Sequence, residues 1–560
     1  MTESEAPRFN LIDEPWVPVS MVDGSFGEVS LRELFKKATS IRTVAGDIPQ
    51  QTAPILRLCL SIVYRTYTLA YEDYLRRGEE VDPIELWREA WEDGTFDLSL
   101  LDSYLDQVHD RFDLFGPKPF MQVAGLKYAA KECDPVFKII ADVPKPEKFL
   151  FSMRSKSAPD SISFAEAARW LLFCFAFDCA GIKSPVVGNT HVTSGKVPAP
   201  KAMLGIPSTG WLGAIGTVFI QGSNLFETLM LNWAIYSDPA SDSHLLNLDD
   251  IPAWEFSVQP ADSGVYIAKG PVGLFTVLDR RIRLVFNEDM DAVEGTIVCY
   301  GDIVQPMGIS RYETMTAWYE STKKQKELNL PRAPLLPKTH DASKALWRGI
   351  GPLLHSEGPD GEDRLRPGVV RWVGILRDKG IDDLPQTLCL HAQGIKYDKK
   401  SSKIVDAYDD ELDIANILVQ TDSGASRCAV GSVNRMEHAV DYLVELARDV
   451  EMIAGSRSVT SRYLDDVREE AYLALDPLMR QRLRDFSSDC SPEDYCADWC
   501  VDAKKIIASI GRRFVSRHPQ SRFERRGKCE GKQVNRHTEG GSIAEAERRF
   551  NRKMKEVLGA

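Results

Sequence analysis

Apolar residues recur at two different periods along this chain, and the change between them is the first sign of organisation. Towards the C-terminus the spacing is helical. Val440, Leu443, Val444 and Ala447 define one helix, and TSRYLDDVREEAYLALDPLMRQRLRDF a second that is expected to bend near Pro477. Trp499, Ala503, Ile506, Ile507, Ile510 and Phe514 form the buried face of a third. A fourth opens on Ser542 and Glu545 as a capping box and buries Ile543, Ala546, Phe550, Met554 and Val557. Four amphipathic helices predict a bundle.

Upstream, helical and alternating segments are interleaved. FNLIDEPWVPV, from Phe9, reads as an edge strand because Pro15 and Pro18 remove ladder donors. Ser30 and Glu33 read as a capping box, and QTAPILRLCLSIVYRTYTLA is apolar nearly all round, as a buried helix is. SGVYIAKG, GLFTVLDRRIRLVFN and GTIVCYGDIVQP alternate between Gly and Asp boundaries and predict a small antiparallel sheet, with Arg281 and Arg283 on one face. LPQTLCLHAQGIKYDKKSSKIVDAYDDEL predicts a hairpin whose tip is Asp398 to Ser402; its lysines also suit protection of a sheet edge. The expected fold is therefore α+β: a mixed α/β domain with small antiparallel sheets over 1–420, then a four-helix bundle over 421–560.

One stretch departs from both periods. Residues 181–222 contain eight glycines and four prolines, and no Asp or Glu occurs from Cys179 to Phe226. Such a segment lets backbone N–H groups approach phosphate, with Lys183, Lys196 and Lys201 to position it. A tightly packed connection whose glycines satisfy turns has the same composition. It is not a nucleotide-binding P-loop, since six residues separate Gly188 from Gly195 and Val197 stands where Ser or Thr would hold magnesium. A second loop, PKPEKFLFSMRSKSAPDSIS, sets Phe149 and Phe151 beside Arg154 and Lys156. That is either a stacking-and-phosphate surface or buried anchors with exposed cations.

Charge sharpens the picture. The chain carries a formal net charge of -13, yet from Ala503 onward it carries +10, which suggests an anionic partner for that end. No apolar run reaches the length of a membrane span and the N-terminus lacks a signal pattern, so a cytoplasmic protein without membrane contact is expected. Eleven scattered cysteines fit a reducing compartment better than a disulfide framework.

The search for chemistry predicts no catalytic residue, no metal site and no cofactor. His109-Asp110 and His340-Asp341 are the pairs on which a metal-dependent nuclease would have to rest, and neither has ligands at an interpretable spacing. Cys490, Cys496 and Cys500, with His518, Cys529 and His537, match no zinc template. A pure protein scaffold without DNA readout is a further alternative.

The opening FNLIDEPWVPV, KPFMQ at Lys118 to Gln122, the apolar helix running into Gly181, GTVFIQGSNLFETLMLN and GPVGLF resemble, in content and order, the large subunit of the type I-E CRISPR surveillance complex, Cascade. The resemblance implies a non-enzymatic subunit that recognises the protospacer-adjacent motif of foreign double-stranded DNA from the minor groove, helps to open the duplex and recruits the helicase-nuclease. Its implied partners are the other Cascade subunits, the guide CRISPR RNA, target DNA and that effector. By the same resemblance Gly181, Ile182, Lys183 and Ser184 would approach the motif. Lys399, Lys400, Ser401 and Ser402 would form the strand-parting wedge, where the family typically presents glutamine. Phe151, Arg154 and Lys156 would touch guide RNA and a neighbouring subunit. Lys504, Lys505, Arg512, Arg513, Arg525 and Arg526 would face the displaced strand. The family's motif-contacting lysine has no clear equivalent here, Arg311 being the nearest cation.

Overall fold

The computed structural model describes residues 6–143, 159–192, 209–236, 243–305, 307–354, 365–420, 424–487, 491–518 and 541–559. Two compact units emerge: Met1–Ser343 with Ser356–Leu384 and Cys389–Glu411, and Lys344–His355 with Pro385–Leu388 and Leu412–Ala560. The helical unit therefore takes in two short segments from within the preceding sequence. The expected α+β class is what the chain adopts.

In the first unit the helices are α1 Leu31–Lys36, α2 Thr52–Arg76, α3 Pro83–Asp93, α4 Leu98–Gln107, α5 Phe164–Phe177, α6 Leu225–Asn232, α7 Pro271–Phe275 and α8 Thr322–Leu328, with α9 Gly351–Leu354 in the second unit and α10 Gly368–Asp378 back in the first. The strands are β1 Val17–Met21, β2 Phe26–Val29, β3 Ile41–Val44, β4 Asp134–Pro135, β5 Thr217–Gln221, β6 Val265–Tyr266, β7 Arg280–Phe286, β8 Val293–Tyr300, β9 Ile303–Val304, β10 Trp318–Glu320, β11 Leu335–Pro337, β12 Thr387–Tyr397 and β13 Ile404–Ala415. They form five small sheets, ordered β2-β1-β3, β10-β11, β13-β12-β5, β4-β8-β7 and β6-β9.

Helix α2 is the axis of the first unit. Its residues from Thr52 to Thr68 are buried on every face, and α4, α5, α6 and α7 pack on it. Burial of Arg57 there is made possible by Glu313, whose carboxylate accepts from both Nη atoms at 2.8 and 2.9 Å and also from Trp211 Nε1 at 2.7 Å. With both ions almost fully buried, each carries a large desolvation penalty that its counter-charge does most to offset.

Three local expectations change. The proline-containing strand β1 is central, not an edge: Pro18 pairs with Glu28 of β2, while pairing to β3 begins at Val19, so the absent proline N–H interrupts little of the ladder. Ser30 caps α1 through Glu33 N, but the Glu33 carboxylate pairs with Lys37 instead of closing a box. Strands β7 and β8 are the antiparallel hairpin expected, whereas β6 pairs parallel with β9.

The C-terminal helices are α11 Ala425–Ala454, α12 Ser461–Arg484, α13 Pro492–Ser516 and α14 Ile543–Leu558. Helix α11 packs against each of the other three, and α12 continues helical through Pro477. Ser542 and Glu545 form the full capping box, and Leu558 takes the buried place expected of Val557.

Replacing Arg57 with Met leaves the Glu313 carboxylate buried without its counter-charge. Unfolding of the first unit is expected to become easier by about 3–5 kcal/mol, measured as a lower denaturant midpoint at unchanged slope; replacing Glu313 by Leu as well is expected to recover part of the loss.

Candidate nucleic-acid interface

Helix α5, capped by the Ser163 hydroxyl, ends at Asp178, where ψ turns to 140° and the chain leaves towards the glycine stretch. Burial raises the Asp178 carboxyl, and Lys183 and Arg280 together overcome this and hold it down to about 2. Both cations use the same oxygen: Lys183 Nζ lies 2.5 Å and Arg280 Nε 2.6 Å from Oδ2. The Asp178 carbonyl accepts from Gly210 N at 2.9 Å and Arg280 Nη2 at 3.1 Å.

Tyr300, the last residue of β8, completes the support. Its hydroxyl accepts from Gly181 N at 2.8 Å and donates to Gly181 O at 2.6 Å, so one side chain holds both backbone groups of that glycine. The Tyr300 ring lies under both cations, with Arg280 at 5.1 Å and Lys183 at 5.5 Å from its centroid. Beyond the loop, Val186 and Val192 pack into a core with Val123, Ile297 and Cys299, and Asn189 donates to Tyr300 O.

Among the described glycines of the stretch, Gly188 takes a φ of 88° and the rest divide into two kinds. A Cβ at Gly210 would fall on the Ala176 backbone, at Gly213 on the Tyr397 hydroxyl, at Gly216 on the Lys338 carbonyl and at Gly222 on Glu227. These are packing glycines. Gly181 differs, having no atom within 4 Å of the place a Cβ would occupy and no positive φ. Its side-chain face is open. The acid-free composition does not give an acid-free surface, however, since Asp262 binds Thr190 and His191 from outside the stretch. Lys183, expected to offer free charge, is half-buried and paired with Asp178. Ser184 is half-buried and Ile182 projects into solvent, 78% exposed.

The expected hairpin is present and is anchored beside this loop. Tyr397, the last residue of β12, donates from its hydroxyl to Phe177 O at 2.7 Å, one residue before Asp178. The turn is built by Asp398, whose Oδ1 accepts from Ser402 N at 2.6 Å and Lys403 N at 3.0 Å, while Ser401 takes a φ of 55°. Lys399 and Lys400 are thereby displayed at the exposed tip. The Tyr397–Phe177 bond thus ties the strand that leads into the tip at Lys399 to Ser402 to the end of the helix that leads into Gly181 to Ser184, across more than 200 residues of sequence.

Beneath the loop, Asp279 is buried to 6% exposure and neither of its carboxylate oxygens receives a hydrogen bond of ordinary geometry. Burial pushes its carboxyl up to about 7, against the pull of Arg280 and with the aid of neighbouring Asp178. On β7, Arg281 is spent on Asp302 and on backbone carbonyls, and Arg283 donates to Leu126 O.

Other expected residues are placed as follows. Phe151, Arg154, Lys156, Arg525 and Arg526 lie outside the described residues. On α13, Lys504 donates to Gly559 O, Lys505 pairs with Asp502 and Arg513 with Glu470; Arg512 is exposed and, among the described residues, has no ion-pair partner. Two cations of the expected basic face are thus ion-paired, with carboxylates supplied by α13 and α12. His340 is half-buried, stacked on Tyr408, donates to Thr217 O, and is held down to about 4 by desolvation; His109 pairs with Asp13 at 2.6 Å. Among the described residues no three His, Cys, Asp or Glu side chains are grouped to hold a metal ion, and no helix is long and apolar enough to cross a membrane.

Residues 10–510 match the family model of CRISPR-associated protein Cse1. The chain belongs to the Cse1 family. It bears out the resemblance read from the sequence, Cse1 being the CasA large subunit. A CasA/Cse1 protein of Thermus thermophilus is 27% identical over 385 residues, which span 67% of this chain and 66%, just under two thirds, of that relative. The crystal structure of Thermobifida fusca Cse1 superposes with a TM-score of 0.81 at 31% identity, covering 99% of this chain and 98% of that one. A chain of a CRISPR RNA-guided surveillance complex shares the fold, with a TM-score of 0.68 at 14% identity over 98% of this chain and 99% of that one.

Sequence reasoning missed Asp178, Arg280, Tyr300 and Tyr397 as supports. Nothing local marks them, for each acts on a partner about a hundred or more residues away, save Asp178, whose acidity beside an acid-free stretch was the available signal.

Two outcomes are expected from this cluster. Because the folded Asp279 carboxyl titrates near 7 and an ordinary one near 3.8, the folded state retains a proton that the unfolded state loses, and stability falls as pH rises across that window. Asp279→Asn is therefore expected to raise Tm more at pH 8 than at pH 4. Tyr300→Phe keeps the ring and removes both bonds to Gly181; amide exchange at Gly181 is expected to quicken by about fivefold, the equivalent of ~1 kcal/mol per net hydrogen bond.

Proposed function

We propose that this Cse1-family chain serves as the large subunit of a type I-E RNA-guided surveillance complex and reads the protospacer-adjacent motif of double-stranded DNA from the minor groove. One observation carries the reading. Gly181 is held rigidly by Tyr300 yet has an empty side-chain face, so its lack of a Cβ serves no packing purpose within the fold and suits the approach of a ligand. A groove only about 6 Å wide favours contact by bare backbone, and its degenerate pattern predicts tolerance of several motifs.

The hairpin tip beside it supplies the second part of the reading. Lys399 and Lys400 would meet phosphates where the duplex begins to part, assisting opening by charge where relatives offer an amide. The cations of α13 and of 525–526 would follow the displaced strand. The surface ion pairs of Lys505 and Arg513 are weak enough, at about 0–1 kcal/mol each, for phosphate to replace the carboxylates. Phe151, Arg154 and Lys156 would engage guide RNA and a neighbouring subunit. In this reading the chain carries no catalytic centre and recruits the helicase-nuclease that degrades the target.

The test uses the chain assembled with guide RNA and the other complex subunits. Wild type is expected to bind duplexes according to the bases beside the target. Gly181→Val, for which the fold has room, is expected to leave Tm unchanged and weaken motif-dependent binding by about tenfold. Charge reversal at Lys399 and Lys400 is expected to flatten the dependence of log affinity on log salt by about 2. Binding indifferent to the motif and to Gly181→Val would make this protein a scaffold.

A further inference from the structure

Ile182 is the part of the loop that groove reading leaves unexplained. Its neighbours are both fixed: Gly181 by the two hydrogen bonds from Tyr300, and Lys183 by Asp178, itself held by Arg280. Between them stands a branched apolar side chain that is 78% exposed. The fold makes almost no use of that side chain. An isoleucine cannot read the donor and acceptor pattern of base edges, and on a phosphate-facing loop a polar residue would be better solvated. What it can do is enter a stack. Apolar side chains presented on a rigid support intercalate between base pairs from the minor groove and kink the duplex, and a β-branched chain has few rotamers to lose on doing so.

We propose that Ile182 is an apolar wedge that inserts into a base step at the motif and unstacks it, so that duplex opening begins at the reading loop before the hairpin tip engages. The proposal rests on the reading of Gly181 to Ser184 as a DNA interface and adds a deforming function to it. The surroundings fit. Gly181, with its open face, permits the groove floor to come close, and the cationic tip at Lys399 and Lys400, anchored through Tyr397 to Phe177, lies ready to hold a backbone displaced by the kink. Because both flanking residues are already ordered, insertion demands little further ordering of the protein.

The experiment uses the complex assembled with guide RNA and the other subunits, and duplexes that carry the motif but no guide match, so that strand exchange cannot follow. 2-Aminopurine placed at successive positions through and beside the motif reports unstacking as a rise in fluorescence. Wild type is expected to brighten the probe at one step only, and Ile182→Ala to reduce that rise by about tenfold, with motif discrimination retained. Ile182→Leu is expected to restore most of it. Since the side chain is exposed, Tm should be the same for all three. Equal brightening by wild type and Ile182→Ala, with motif discrimination intact, overturns the wedge and leaves the groove reading standing. Failure of wild type to discriminate motifs overturns both.

Discussion

A single carboxylate oxygen, Oδ2 of Asp178, organises the loop that carries Gly181 to Ser184. Two cations share it, one from the loop that follows and one from β7, and the tyrosine beneath them ties the next glycine by its backbone. Were that oxygen absent, Arg280 would be buried without a full partner and Lys183 would have no reason to turn inward. The loop would then lose its direction at the point where α5 ends. Order in an irregular segment thus comes from electrostatics in a shielded place, where a shared ion is worth more than it is at the surface.

That arrangement separates support from contact. Asp178, Arg280, Tyr300 and Tyr397 are buried or half-buried and face one another, whereas Gly181, Ile182, Lys399 and Lys400 face solvent. The second set can meet a ligand without disturbing the first. Such a division favours binding, because a loop that had to order on contact would forfeit affinity.

Much of this was legible in the sequence. Helical periodicity located the bundle, alternation located the β7–β8 and β12–β13 hairpins, and composition picked out the glycine stretch. Three kinds of feature were not legible. Pro18 pointed to an edge, but whether a strand is central depends on partners that arrive later in the chain. The absence of Asp and Glu between Cys179 and Phe226 suggested unpaired cations, yet Asp178 and Asp262 reach in from outside. Likewise the basic count after Ala503 ignored Asp502, one turn earlier on α13 and paired with Lys505, and Glu470, which α12 places opposite Arg513. Local sequence gives the charge of a segment, while its surface potential belongs to whatever folds against it.

The turn at the hairpin tip has a bearing on how such a protein can change. Asp398 builds it with its own carboxylate and Ser401 accepts the left-handed bend, so the two residues between them carry no structural duty. They behave as an interchangeable bit in a fixed holder. Single substitutions can therefore place glutamine or other side chains at these two positions with the hairpin and its anchor left intact.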